Sequence, residues 1–81
     1  MKIRIYISLK KGVLDTQGKA IENLLVKNFD YNQISNVSQG KFIDINIDEN
    51  DKDNIKETVD EICDKFLVNK VIEDYNFEII S

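Results

Sequence analysis

The sequence contains no histidine and no proline, one cysteine and only three glycines. The missing histidine removes the commonest general base and the commonest metal ligand. The lone Cys63 excludes an internal disulfide and a multi-cysteine zinc site. No apolar run approaches the roughly 20 residues that a membrane-spanning helix needs. No phosphate loop occurs either: Gly12 and Gly18 are not followed by Lys-Ser or Lys-Thr in the Walker pattern. Repeats, low-complexity tracts and linker-like stretches are also missing, so one domain is expected over residues 1–81. Met1 leads directly into a strand pattern, so no signal peptide is expected, and together these features point to the cytoplasm.

What is present suits a small folded domain. The hydrophobic fraction is 42% and the charged fraction 32%. Apolar residues recur with clear periods, which argues against disorder. Net charge is −4, which disfavours nucleic acid unless bases cluster, and the clearest cluster, Lys2, Arg4, Lys10 and Lys11, is small.

Residues 2–9 alternate strictly: Ile3, Ile5, Ile7 and Leu9 on one face, Lys2, Arg4, Tyr6 and Ser8 on the other, as in a half-buried strand. Lys10-Lys11-Gly12-Val13-Leu14-Asp15-Thr16-Gln17-Gly18 then joins this strand to a helix. Gly12 permits a tight reversal, and Asp15 stands where a helix N-cap belongs. Val13 and Leu14 are apolar in a turn, so they must pack on their own core or on a partner. The helix is expected to run to about Asn28, with Ile21, Leu24 and Leu25 at helical spacing. Gly18 in its first turn indicates either close approach of another backbone or ligand, or an indifferent helix start.

A weak extended segment, Ile34 to Ser38, is expected next, interrupted at Asn36. Gln39-Gly40 reads as a turn, and Lys41 to Asp48 as a strand with Ile43, Ile45 and Ile47 inward. Asp48-Glu49-Asn50-Asp51-Lys52-Asp53 fails the EF-hand template, since Lys52 falls on a ligand position and Asp53 where glycine is required. It reads as the solvated start of a second helix, capped by Asn50, Asp51 or Asn54. That helix carries the stripe Ile55, Val59, Ile62, Phe66, widened by Cys63 and Leu67. A thiol on this stripe without a histidine partner is expected to be structural. The last strand alternates Tyr75, Phe77 and Ile79 with Asp74, Asn76 and Glu78.

The order β-α-β-β-α-β predicts an α+β, two-layer ferredoxin-like sandwich, with two helices on one face of a mainly antiparallel sheet. The expected core is Ile3, Ile5, Ile7, Leu24, Ile43, Ile45, Val59, Ile62 and Phe66. The other sheet face, with Tyr6 and Phe42 among polar residues, suits a subunit interface. An unprotected edge at the second strand predicts a homodimer or a dimer of dimers.

Three segments, Lys10 to Gly18, Gly40-Lys41-Phe42-Ile43, and Asn69-Lys70-Val71-Ile72-Glu73-Asp74-Tyr75, resemble the PurS family, the small subunits of phosphoribosylformylglycinamidine synthase. The resemblance spans nearly the whole chain. It departs at Thr16 and Lys70, where the family usually has proline, and at Ser38, where it often has arginine. The resemblance implies a non-catalytic assembly subunit in purine biosynthesis. It would bridge an ATP-dependent ligase subunit and a glutaminase subunit and help ammonia transfer. It also implies that ATP, magnesium and glutamine are used by the complex, with no cofactor on this chain. The partner-contact candidates are Lys10, Lys11, Gly12, Val13, Leu14, Asp15, Gln17, Gly18, Gly40, Lys41, Glu73, Asp74 and Tyr75; no catalytic or metal residues are expected. The alternative is a stand-alone ferredoxin-like small-molecule binding or regulatory module.

Overall fold

The alternating residues 2–9 form the central strand of the molecule. A computed structural model describes residues 1–80, and in it β1 (Lys2–Leu9) lies between β2 (Lys41–Asn46) and β3 (Glu73–Ile79), antiparallel to both. The register sets Ile5 opposite Ile43 on one side and Phe77 on the other. Main-chain bonds between Met1 and Ile47, and from Ile80 N–H to the Lys2 carbonyl at 2.8 Å, extend both ladders. Because side chains alternate across a strand, one sheet face becomes continuously apolar.

Among the described residues, one helix packs on that face. α2 (Lys52–Ile62) starts at Asp51, whose carboxylate accepts the Asp53 N–H at 2.9 Å; of the three candidate caps, Asp51 is the one used. Ile55, Val59 and Cys63 seat fully buried on Ile3, Ile5 and Ile7, with Val68 closing the core. Ile43, Ile45, Ile47, Leu67, Tyr75, Phe77 and Ile79 pack half-buried around them. The helix continues as a π turn, Cys63–Leu67, closed by the Val68 N–H on the Cys63 carbonyl at 3.1 Å. The wider i→i+5 turn rotates the end of the apolar stripe. Phe66, expected in the core, therefore points to solvent and is 78% exposed, while Leu67 and Val68 turn inward.

α1 (Thr16–Asn23) and its own π turn (Leu24–Asn28) begin at the expected cap and end at the expected residue. They do not share the core. Among the described residues, none from 16–28 belongs to the buried hydrophobic cluster, and Leu24, also expected in the core, is 46% exposed. The result is an elongated molecule of 49 × 27 × 15 Å. Its radius of gyration is 16.3 Å, against about 12 Å for a compact domain of this length. The α+β class and the antiparallel sheet agree with expectation, but the sheet has three strands instead of four. The segment 34–38 pairs with no strand, because Asn36 takes a left-handed backbone (φ 56°) that breaks an extended run. Within it the Ile34 N–H donates to the Tyr31 carbonyl at 3.0 Å and the Val37 N–H to the Glu22 carboxylate at 3.1 Å.

The outer sheet face is polar and internally paired. Arg4 donates two bonds to the cross-strand Asp44 carboxylate, at 2.8 and 3.0 Å, and lies 4.5 Å above the Phe42 ring. Tyr6 donates to Glu78. The Arg4 bond holds the Asp44 carboxyl below the usual carboxylate range.

Candidate functional site

The central position of β1 brings the three conspicuous sequence segments to one end of the sheet. Ile7 pairs with Lys41, Ser8 with Asp74 and Leu9 with Glu73. Beyond the strand, the Lys10 N–H donates to the Ile72 carbonyl at 2.8 Å, and Lys10 Nζ lies 3.5 Å from Asp74. Lys41 Nζ lies 3.7 Å from Glu73, whose other oxygen accepts the Asn69 N–H at 2.8 Å. Lys70 pairs with Asp64 at 3.0 Å, so three of the four lysines in these segments are engaged within the chain, whereas Lys11 has no ion-pair partner among the described residues. Gly40 is required by proximity: a Cβ there would stand 2.7 Å from the Ile7 carbonyl oxygen.

The turn itself is tightly specified. Gly12 adopts φ +86°, a conformation costly for any residue with a Cβ, and Val13 N–H closes onto the Lys10 carbonyl at 3.2 Å. Val13 is half-buried, but Leu14 is 76% exposed and does not fold back onto the core. Asp15 follows, and each of its carboxylate oxygens is used. Oδ1 accepts the Gly18 N–H at 2.8 Å, capping α1, and Oδ2 accepts the Gln39 N–H at 2.8 Å. Both bonds favour the charged form and hold the Asp15 carboxyl below its ordinary range. Seven residues further along, Glu22 accepts the Val37 N–H at 3.1 Å and pairs with Lys19 at 3.3 Å; its carboxyl is lowered chiefly by the Val37 bond. Gln17 accepts from the Gln39 side chain at 2.7 Å. The segment that failed to become a strand is therefore bound along α1 through side chains. Gly18, fully buried, makes room for it: a Cβ there would stand 2.7 Å from the Val37 carbonyl oxygen. The close approach of another backbone, one of the two readings of this glycine, is what the structure contains.

Between the turn and the segment 36–40 lies an open cleft of about 680 Å³, walled by Ser8, Lys10, Lys11, Asn36 and Ser38 among others. A smaller hollow of about 260 Å³ adjoins it, with Leu14, Gln17 and Lys41 on its rim.

One candidate is placed differently. Tyr75 points to the opposite side of β3 from Asp74, into the α2 layer, and donates to Asp60 at 2.8 Å. That bond, aided by burial, pushes its phenol up to about 12. Tyr75 is a core residue, and the alternation of β3 already puts it with Phe77 and Ile79. Sequence reasoning passed over Glu22, Val37 and Gln39 as parts of this end of the molecule. Their contacts span 15 to 24 residues and join side chains to backbone, for which no periodic signal exists. Cys63 is fully buried, and desolvation with nearby Asp60 and Asp64 pushes its thiol up, away from reactivity. Among the described residues no group of three or more acidic or cysteine side chains is placed to hold a metal ion, and no helix is long and apolar enough to cross a membrane.

Comparison with known proteins supports the same assignment from several directions. The PurS family model, described as phosphoribosylformylglycinamidine (FGAM) synthase, matches residues 2–81. The chain is 41% identical over 78 residues to the phosphoribosylformylglycinamidine synthase subunit PurS of Bacillus subtilis, covering 96% of this chain and 90% of that one. It is 39% identical over 79 residues to the PurS subunit of Methanocaldococcus jannaschii, covering 96% and 93%. The crystal structure of the Methanocaldococcus jannaschii PurS superposes with a TM-score of 0.84 at 40% identity, over 95% of this chain and 92% of that one. The structure described as PurLQS from Thermotoga maritima contains a chain that superposes at 0.85 with 27% identity, over 95% and 93%. An 81-residue chain with a central N-terminal strand, an outlying first helix and this turn thus belongs to the PurS family, the PurS subunits of phosphoribosylformylglycinamidine synthase.

Proposed function

We propose that the chain acts as a non-catalytic assembly subunit of the synthase and docks through the Lys10–Gly18 turn. It bridges the ATP-dependent ligase subunit and the glutaminase subunit of a cytoplasmic complex that uses ATP, magnesium and glutamine, and it helps ammonia transfer between them. The Thermotoga maritima PurLQS assembly supports this reading by kinship. The observation that carries it is Leu14: a large apolar side chain, 76% exposed, held in a turn whose backbone is constrained on both sides. A small apolar anchor ringed by polar groups is how protein interfaces concentrate their affinity. Lys11, without an ion-pair partner among the described residues, adds local positive charge on an acidic protein and steers the turn towards an acidic patch. Ile21, Leu24 and Phe29, exposed on the outlying helix and the residue after it, support self-association into a homodimer or a dimer of dimers.

The test is Leu14→Asp. Circular dichroism of the isolated chain should be unchanged, while titration calorimetry against the other two subunits should show a loss of about 1–3 kcal/mol. Unchanged affinity in the folded variant overturns the docking assignment. The cleft beside the turn favours one second reading, a regulatory small-molecule module; saturable binding of glutamine or ADP to the isolated chain, with no affinity for the other subunits, would select it.

A further inference from the structure

We infer that Asp15, Glu22 and Gly18 are positioning residues that set the orientation of the docking turn by binding the segment 36–40 along α1. The inference rests on the turn being the docking surface. No residue of α1 or its π turn joins the buried hydrophobic cluster among the described residues, and of their apolar side chains only Leu25 and Val26 are half-buried, so the main core does not fix where α1 points. What defines it is a short set of polar contacts with fixed geometry. Asp15 clamps two N–H groups from different parts of the chain, Gly18 at 2.8 Å and Gln39 at 2.8 Å. Glu22 clamps a third, Val37, at 3.1 Å, where the left-handed Asn36 turns the backbone towards it. Gly18 lets the two backbones touch. Asp15 is the residue after Leu14, so the clamp fixes the anchor's outgoing backbone directly. Charge-assisted bonds to backbone N–H groups are short and directional, which suits them to positioning.

Three substitutions separate this role from simple helix stability. Asp15→Asn keeps an oxygen to cap Gly18, and asparagine caps as well as aspartate, but it turns an amide donor towards the Gln39 N–H. Gly18→Ala improves helix propensity, so a loss on this substitution must come from the close approach to Val37 and Asp15. Glu22→Gln retains the oxygen for Val37 and serves as the conservative control, with Glu22→Ala as its disruptive counterpart. Two readouts are taken. In the isolated full chain, amide hydrogen exchange at Val37 and Gln39 should quicken at least tenfold in Asp15→Asn and Gly18→Ala, with the β1 amides unchanged. In the reconstituted synthase, the dissociation constant of the same variants should rise at least tenfold. Glu22→Gln, which keeps the accepting oxygen but loses the charge, should fall between the native chain and Glu22→Ala in both readouts, and Glu22→Ala should lose as much as Asp15→Asn. Unchanged exchange in Asp15→Asn and Gly18→Ala overturns the clamp. Faster exchange with undiminished affinity overturns its link to docking. Failure of the docking reading itself is seen separately, as unchanged affinity in Leu14→Asp with the exchange results intact.

Discussion

The π turn at the end of α2 can be tested with a pair of alanine substitutions whose outcomes would be similar if the helix were regular. Val59 and Phe66 sit seven residues apart, two full turns of an ordinary helix, and would share its buried stripe. In the structure Val59 is fully buried against Ile3, Ile5 and Ile7, whereas Phe66 is 78% exposed. Removing two buried methyl groups from Val59 forfeits about 0.8 kcal/mol each in transfer energy, and the cavity left behind brings the cost to about 2–3 kcal/mol. Removing an exposed phenyl ring should cost less than about 0.5 kcal/mol, where a buried one would cost about 3–5. In a domain of this size each kcal/mol moves the midpoint by about 4–8 °C, so Val59→Ala should melt some ten or more degrees early and Phe66→Ala within about 4 °C of the native chain. Thermal unfolding followed by circular dichroism at low micromolar concentration measures both. Equal losses in the two variants would refute the π geometry and restore a regular helix. A Phe66 loss that grows with protein concentration would instead place that ring against another chain.

Three further outcomes are expected. Cys63 should resist alkylation until the protein unfolds, because the thiol is buried and its ionisation is disfavoured; labelling in native buffer at the rate of a free thiol would refute its place in the core. The Tyr75 phenol is raised from 10.0 to about 12 in the folded state, so its contribution is fully present below about pH 10 and is lost as pH rises towards 12. Tyr75→Phe should cost about 0.5–1.5 kcal/mol at neutral pH and remove this alkaline component, as read by unfolding at several pH values. Gly12→Ala should destabilise by about 1–2 kcal/mol through its left-handed backbone alone, since open space surrounds the position. Gly12→Asn should recover part of that loss, and equal stability of all three chains would show that the turn does not need the positive φ.

The strands were legible wherever one face is wet and the other dry. The alternation in 2–9, 41–46 and 73–79 survives unchanged in the structure because a one-residue slip would invert every side chain. The cap at Asp15 was legible because capping is local. Periodicity could not reveal what covers a face. The stripe on α1 reads the same whether it lies on its own sheet or stands apart, so Leu24 was assigned to a core it does not enter. It could not reveal the π turn, whose residues still follow an apolar pattern, and so Phe66 was misplaced. The segment 34–38 looked like a poor strand; Val37 is held by the Glu22 carboxylate of α1 and the following Gln39 by the α1 cap Asp15, and nothing in its own residues says so. At the candidate functional end, the three segments were recognisable, but their convergence depends on β1 being central, a fact of topology. Tyr75 shows the converse: its inward position followed from alternation, while its motif suggested a contact.

The central place of the first strand has a consequence for the chain's birth. β1 is made before both of its neighbours, and one of them, β3, follows only after β2 and α2, with Glu73 joining opposite Leu9. At roughly 5–20 residues per second, the ribosome needs about 3–13 s to deliver that partner after Leu9 is joined. For that interval one edge of the most hydrophobic strand stays open. Lys2 and Arg4 on its polar face oppose pairing with a copy of itself through like charge. A chain truncated before β3 loses not a decorative edge but one whole side of its central strand, so quality control should treat it as unfolded.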